Sequence, residues 1–61
     1  QGGAEGMVGE TGIVKEELNP QGSILVHGEL WQAECEGKIR EGEKVYVEKV
    51  ERLKVIVRKI P

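Results

Sequence analysis

The sequence contains a single cysteine and no aspartate, and histidine, serine and tryptophan occur once each. One cysteine excludes an internal disulfide. Without aspartate, and with Ser23 as the only serine, no Ser–His–Asp triad can be built. One histidine and one cysteine do not make a zinc site, which needs three or four nitrogen or sulfur ligands. We therefore expect no catalytic, metal-binding or cofactor-binding residues, and a chain that is not an enzyme.

Long apolar runs are also lacking, and none is longer than the three residues of 24–26. A membrane-spanning helix needs about 18 or more apolar residues, so none is predicted, and no signal-peptide pattern is present. Residues 1–6 include three glycines and are interpreted as a flexible lead-in or expression remnant. Residues 7–61 are predicted to form one domain, near the lower size limit for independent folding.

Charge is abundant but unevenly distributed. Residues 1–36 carry seven acidic and one basic side chain, and residues 37–61 carry four acidic and eight basic ones, which gives net charges of −6 and +4. Both signs are interspersed in the second part, and this dilutes any basic patch. The pattern favours an ordinary solvated β-protein with charged outward positions.

Residues 22–35 have the clearest local pattern, that of a β-hairpin. Gly28 suits the first position of a type II′ loop Gly28-Glu29, which requires a positive φ there. Side chains alternate between the two faces of a strand, so Leu25, His27, Gln32 and Glu34 are predicted to point outward. The inward set is Ile24, Val26, Trp31, Ala33 and Cys35, with Trp31 as a core residue packed on Val26. The predicted register pairs His27 with Leu30, Val26 with Trp31, Leu25 with Gln32, and Ile24 with Ala33.

Three further strands are predicted at residues 13–18, 44–49 and 53–60, with a short connection at 37–43 anchored by Ile39. Val45, Val47, Val55 and Val57 are expected to point inward. Five short strands separated by turns predict an all-β fold. A small five-stranded, OB-fold-like antiparallel barrel is favoured, because closure removes the edges that a small open sheet would expose.

Two of the predicted turns impose unusual local backbone geometry. Asn19-Pro20-Gln21-Gly22 has the residue preferences of a type I turn, but the register that follows points Glu16 inward, so we expect a β-bulge near Lys15-Glu16. The last turn is predicted as a three-residue loop, Val50-Glu51-Arg52, which places Val47 opposite Val55 and Val45 opposite Val57. That loop requires a positive φ at Arg52, at a cost of about 1–2 kcal/mol.

Several segments carry a family resemblance across residues 7–58. They are 7–14 (MVGETGIV), 18–22 (LNPQG) and 26–33 (VHGELWQA), followed by Ile39, Gly42, Val45, Val47, Leu53 and Val55. The spacing of G-x-x-G, L-x-P-x-G, V-x-G-E-x-W-x-A and G-x-x-V-x-V resembles the C-terminal soluble domain of the NfeD family. Arg52 departs from the pattern, since that family usually has glycine there.

The resemblance implies an OB-like barrel tethered behind transmembrane helices and lying on the cytoplasmic side of the membrane. It also implies a non-catalytic interaction domain that engages a stomatin- or prohibitin-like membrane protein and supports membrane organisation. Some family members carry a ClpP-like serine protease region ahead of the membrane segment, which has no counterpart in this sequence. No cofactor is implied.

The candidate partner-binding residues are the apolar side chains predicted to point outward and two polar neighbours. The hairpin supplies Leu25 and Leu30, with His27 between them and Gln32 in a polar rim that also includes Glu29 and Glu34. Strands four and five supply Tyr46 and Ile56. Apolar patches with polar rims often mark protein contacts. The alternative function is single-stranded nucleic-acid binding, which needs a basic groove and exposed aromatic residues.

Overall fold

The computed structural model describes residues 6–61. A short 3₁₀ turn at residues 6–7 precedes five strands: β1 (Thr11–Glu16), β2 (Gln21–Val26), β3 (Glu29–Glu34), β4 (Lys44–Glu51) and β5 (Lys54–Lys59). Most of the predicted lead-in, residues 1–5, lies outside the described residues. The boundary between lead-in and domain therefore stays a prediction.

The strands close into a barrel in the order β1-β2-β3-β5-β4, with β4 pairing back onto β1. The predicted all-β, five-stranded barrel is confirmed. One neighbouring pair, β3 and β5, is parallel, while the other four are antiparallel. An odd number of strands cannot alternate in direction around a closed ring, so at least one parallel pair is unavoidable.

The barrel interior is filled by small and branched apolar side chains. The valines predicted to point inward are buried, as is Cys35, whose thiol lies 3.8 Å from the carbonyl oxygen of Leu18. Leu18 and Ile39 form an isolated bridge with two N–H···O bonds of 2.9 Å, which anchors the 37–43 connection as expected. The buried apolar residues are Met7, Val14, Leu18, Ile24, Val26, Ala33, Cys35, Ile39, Val45, Val47, Val55 and Val57.

The β2–β3 hairpin forms, but its predicted register is wrong. The two-residue loop is His27-Gly28, and both residues have positive φ, 52° and 79°. Positive φ at both positions is the mark of a type I′ loop, which matches the right-handed twist of the flanking strands. The observed pairs include Ile24–Trp31, Leu25–Leu30 and Val26–Glu29. The shift changes every pair and leaves the inward and outward faces as predicted.

Trp31 faces inward, packed against the core, but it is half-buried and lies opposite Ile24 rather than Val26. Its indole Nε1 is shielded from solvent and has no hydrogen-bond partner among the described residues.

The predicted type I turn at residues 19–22 is wrong, because β2 already begins at Gln21 and the Asn19–Pro20 peptide bond is cis. The expected bulge is confirmed: the β1–β2 register shifts between Val14 and Glu16, and Glu16 is exposed. The β1–β2 register that follows from that turn would set Val14 opposite Gly28, and it is also wrong, because Val14 lies opposite Ile24.

The β4–β5 hairpin has a shorter loop than predicted. Glu51 pairs with Lys54, so the loop is Arg52-Leu53, and Arg52 has the predicted positive φ, 52°. The register expected for the valines is wrong, because a second bulge lies between Val47 and Lys49. As a result Val47 faces Val57, and Val50, three residues later, faces Val55.

The strand directions define two ends of the barrel. One, the loop end, gathers residues 6–10, the His27-Gly28 loop and the Arg52-Leu53 loop, because β1, β3 and β5 all begin there. The opposite end gathers the β1–β2 turn, the 37–43 connection and the C-terminus.

Candidate interaction surfaces

Three outward apolar side chains lie side by side across the sheet. Ile13 on β1 is the cross-strand partner of Leu25 on β2, and Leu25 is the partner of Leu30 on β3. Directly opposite residues have Cβ atoms about 4.5–5.5 Å apart, so the three form a continuous apolar row. Leu25 is half-buried within the row, while Ile13 and Leu30 expose 42% and 64% of their surface. We call these three residues the apolar row.

The predicted pair of Leu25 and Leu30 is thus brought together, more directly than the predicted register implied. Ile13 was not among the sequence candidates. Its place in the row follows only from the correct β1–β2 register, in which Ile13 faces Leu25. A predicted β1–β2 register that included the bulge at Lys15 would have placed Ile13 beside Leu25.

The groups around the row carry both signs of charge. His27 lies in the loop beyond Leu25, with its Nε2 3.0 Å from the Glu10 carboxylate. Lys44 is the cross-strand partner of Ile13, and Gln32 follows Leu30 on the same face of β3. The border of the row therefore has no single sign of charge.

Glu34, expected in the rim, lies two residues further from the row than Gln32 and is engaged elsewhere. Its carboxylate accepts a short hydrogen bond from the Lys54 ammonium group and a longer one, 3.4 Å, from Gln21. The Lys54 hydrogen bond holds the pKa of Glu34 below its ordinary value, and the same bond raises the pKa of Lys54. This pair ties β3 to β5 across the parallel junction.

Tyr46 and Ile56 form a second, separate surface. Both are half-buried and line one shallow depression on the outer side of β4 and β5. Lys49, opposite Ile56, also lines this depression, as does Arg58, whose Nε lies 3.1 Å from Glu48. The surface is therefore more charged than the apolar row. The sequence candidates divide between these two places: Leu25, His27, Leu30 and Gln32 at the first, Tyr46 and Ile56 at the second.

Leu53 is a further exposed residue that the sequence analysis placed inside strand five. It stands in the β4–β5 loop with 89% of its surface exposed, the largest value among the big apolar side chains described. It lines a surface hollow together with Gln32, Glu51, Arg52 and Lys54. The positive φ expected at Arg52 indicates a loop at that residue, and it could have suggested that the adjacent Leu53 also lies in the loop.

Groups that could perform chemistry are sparse. Within residues 6–61, no three His, Cys or Glu side chains lie close enough together to hold a metal ion. Burial raises the pKa of the Cys35 thiol, and this lowers the fraction of reactive thiolate. For the nucleic-acid alternative, β2 and β3 contain no lysine or arginine, and their one aromatic side chain, Trp31, points inward.

Comparison with known proteins decides the family. Residues 4–59 match the family described as the NfeD-like C-terminal, partner-binding domain. The chain belongs to the NfeD family. The resemblance inferred from the sequence motifs is confirmed.

Two curated relatives are longer proteins. A membrane-bound protease of Pyrococcus horikoshii is 53% identical over 57 residues, which cover 90% of this chain and 13% of the protease. An uncharacterized protein of Methanocaldococcus jannaschii is 38% identical over 60 residues, covering 95% of this chain and 44% of that protein. This NfeD domain therefore corresponds to less than half of either relative.

Two solved structures share the fold. The C-terminal domain of a stomatin operon partner protein from Pyrococcus horikoshii has a TM-score of 0.93 at 48% identity, with 100% of this chain and 98% of that one covered. The second is the soluble domain of a membrane protein implicated in regulation of membrane protease activity, from Corynebacterium glutamicum. It has a TM-score of 0.82 at 28% identity, covering 88% of this chain and 92% of its own.

One of these relatives is named a membrane-bound protease, and one of the solved structures is the soluble domain of a membrane protein. The residues that the structure describes include no helix long and apolar enough to cross a membrane.

Proposed function

We propose that this domain docks a stomatin- or prohibitin-like membrane protein through the apolar row, without itself being catalytic. The family description supports partner binding, and the name of the Pyrococcus horikoshii neighbour supports a stomatin-type partner. The observation that carries the choice of surface is the exposure of Leu30 beside Leu25 and Ile13 on one outward face. Contacts of this kind are dominated by a few long apolar anchors.

Recognition in this proposal is mainly apolar. Because Lys44 and Glu10 give the border of the row both signs of charge, the affinity should respond only weakly to salt. Glu34, expected in the polar rim, is paired with Lys54 and so adds little free negative charge to this border.

The test is a quantitative pull-down against a stomatin-like protein from the same source, with the double variant Leu25→Ser and Leu30→Ser. Removing two apolar anchors should weaken binding by about 2 kcal/mol or more, roughly thirtyfold. The matched control is Tyr46→Ser with Ile56→Ser, which alters the other candidate surface. Thermal melts of both variants establish that they are folded.

Undiminished binding by the folded Leu25/Leu30 variant would remove the apolar row from consideration. If the Tyr46/Ile56 control lost binding instead, the depression on β4 and β5 would become the docking surface.

In the full-length protein we place this domain on the cytoplasmic side of a membrane, in a complex that supports membrane organisation. The membrane-bound relative supports the membrane context, and the cytoplasmic side is what the family resemblance implies. Digestion of intact cells or spheroplasts with an external protease should spare the domain. Degradation before lysis would put it on the other side.

A further inference from the structure

The loop end of the barrel concentrates exposed apolar side chains. Val8 in the N-terminal turn exposes 54% of its surface, Leu30 at the start of β3 64%, and Leu53 in the β4–β5 loop 89%. At the opposite end, Leu18 and Ile39 are 0% and 6% exposed. Single exposed apolar residues are ordinary, but here three separate chain segments bring them to the same end.

The segments of the loop end are held together. The His27–Glu10 contact of 3.0 Å joins the β2–β3 loop to the N-terminal segment, and the Gly9 amide donates a 2.8 Å hydrogen bond to the Val47 carbonyl. Met7, beside Val8, is buried in the core. The N-terminal turn that carries Val8 and the β2–β3 loop are therefore fixed to each other, while Leu53 stands on the tight β4–β5 loop closed by the Glu51–Lys54 pair.

Leu53 is accompanied by a group suited to phosphate. Arg52 precedes it, and no acidic side chain of residues 6–61 forms an ion pair with the Arg52 guanidinium. A guanidinium binds phosphate oxygens in a bidentate fashion and is weakly hydrated. An apolar tip beside a free guanidinium matches the phospholipid interface, where acyl chains lie directly below the phosphates.

The path of the chain indicates which side of the barrel faces a membrane. The family domain is C-terminal in its proteins, so the rest of such a protein joins it ahead of residue 6, which lies at the loop end. One curated relative is membrane-bound, and a solved neighbour is the soluble domain of a membrane protein. The loop end is thus the end nearest to any preceding membrane anchor.

We propose that the loop end rests on the membrane surface, with Leu53 and Val8 in the headgroup region and Arg52 on lipid phosphates. This goes beyond the docking of a protein partner and does not depend on which partner binds. It orients the domain with the opposite end away from the bilayer. The apolar row then runs around the side of the barrel, from β1 to β3.

The experiment uses the 61-residue chain carrying an N-terminal hexahistidine, attached to phosphatidylcholine–phosphatidylglycerol vesicles that contain a nickel-chelating lipid. An environment-sensitive fluorophore is placed at Leu53→Cys and, as the matched control, at Glu41→Cys on the exposed connection of the opposite end. Both variants carry Cys35→Ala, so that the label has one site, and melts confirm folding. Quenching by lipid with a nitroxide near the headgroup is measured.

We expect quenching and a blue-shifted emission at position 53, and neither at position 41. Because the tether alone brings the loop end near the lipid, Val8→Ser and Arg52→Gly are added to the Leu53→Cys chain, and quenching should then be largely lost. Equal quenching at both positions, no quenching at 53, or quenching unaffected by the two added changes would each overturn the proposal. So would quenching that appears only when a stomatin-like protein is added.

Discussion

Replacing Arg52 with glycine is expected to raise the stability of the domain. Arg52 is the first residue of a two-residue loop and has a φ of 52°. A side chain in the left-handed region costs about 1–2 kcal/mol, because its Cβ approaches the following carbonyl oxygen. Glycine adopts this conformation freely but loses more backbone entropy on folding, about 0.5–1 kcal/mol. The net gain should be about 0.5–1 kcal/mol.

The assay is thermal unfolding followed by circular dichroism at neutral pH. A domain of about 60 residues changes its Tm by about 4–8 °C per kcal/mol, so Arg52→Gly should raise Tm by a few degrees. No ion pair of Arg52 is lost among the residues described. The matched control is Leu53→Gly in the same loop, where φ is not positive. There only the entropic cost applies, and Tm should fall.

The expected gain in stability is refuted if Arg52→Gly lowers Tm, relative to the parent, by as much as Leu53→Gly does. The positive φ of Arg52 would then carry no free-energy cost. If stability rises while membrane contact is lost, the strained arginine is retained for its guanidinium, in keeping with the clustering of backbone strain at functional sites.

Three further changes test the packing and the electrostatics. Trp31→Ala should destabilise the domain by about 3 kcal/mol, which is the low end of the range for tryptophan because the ring is half-buried. Trp31→Phe should destabilise it much less, since the indole N–H has no hydrogen-bond partner to lose. Chemical denaturation measures both changes in the free energy of unfolding. Gly22→Ala should destabilise the domain by roughly 1–3 kcal/mol or prevent folding, because the new Cβ would lie 2.4 Å from two backbone carbonyl oxygens. The control Gly6→Ala has open space around the new Cβ and should leave Tm unchanged. The Glu34–Lys54 pair should stabilise the domain only while Glu34 is ionised. Because the pKa of Glu34 is lowered in the folded state, this contribution is fully present above the unfolded-state pKa and is lost as the pH falls through the lowered pKa. The Tm difference between the parent and Lys54→Met should narrow in acid, and a difference independent of pH would contradict the pairing.

The strand faces were predictable from the sequence, but the strand pairings were not. The β2–β3 loop could be Gly28-Glu29 or His27-Gly28, and both choices put Ile24 and Trp31 on the same face, because they differ by two in register. Alternation therefore cannot distinguish them. The deciding factor is that His27 accepts positive φ, which makes a type I′ loop available.

Only one of the two β-bulges could be predicted from the sequence. The bulge before Glu16 was predictable, because without it a charged side chain would point into the core. The bulge between Val47 and Lys49 left no such conflict, because Val50 and Val47 are both apolar and either could face inward. That bulge shortened the β4–β5 loop and moved Leu53 to its tip. Ile13 and Leu53 were missed as surface residues by the sequence analysis because the positions of both depend on register.

The first and last strands place the two ends of the described residues, 6–61, at opposite ends of the barrel. β1 begins at the loop end, while β5 finishes at the other end, where the Ile60 amide bonds the Lys44 carbonyl at 3.1 Å. A force applied between the termini would slide β1 and β5 along their neighbours, loading the ladder hydrogen bonds together rather than one at a time. We expect this domain to resist stretching from its termini far better than peeling of a single hairpin, which single-molecule pulling from two attachment geometries would measure.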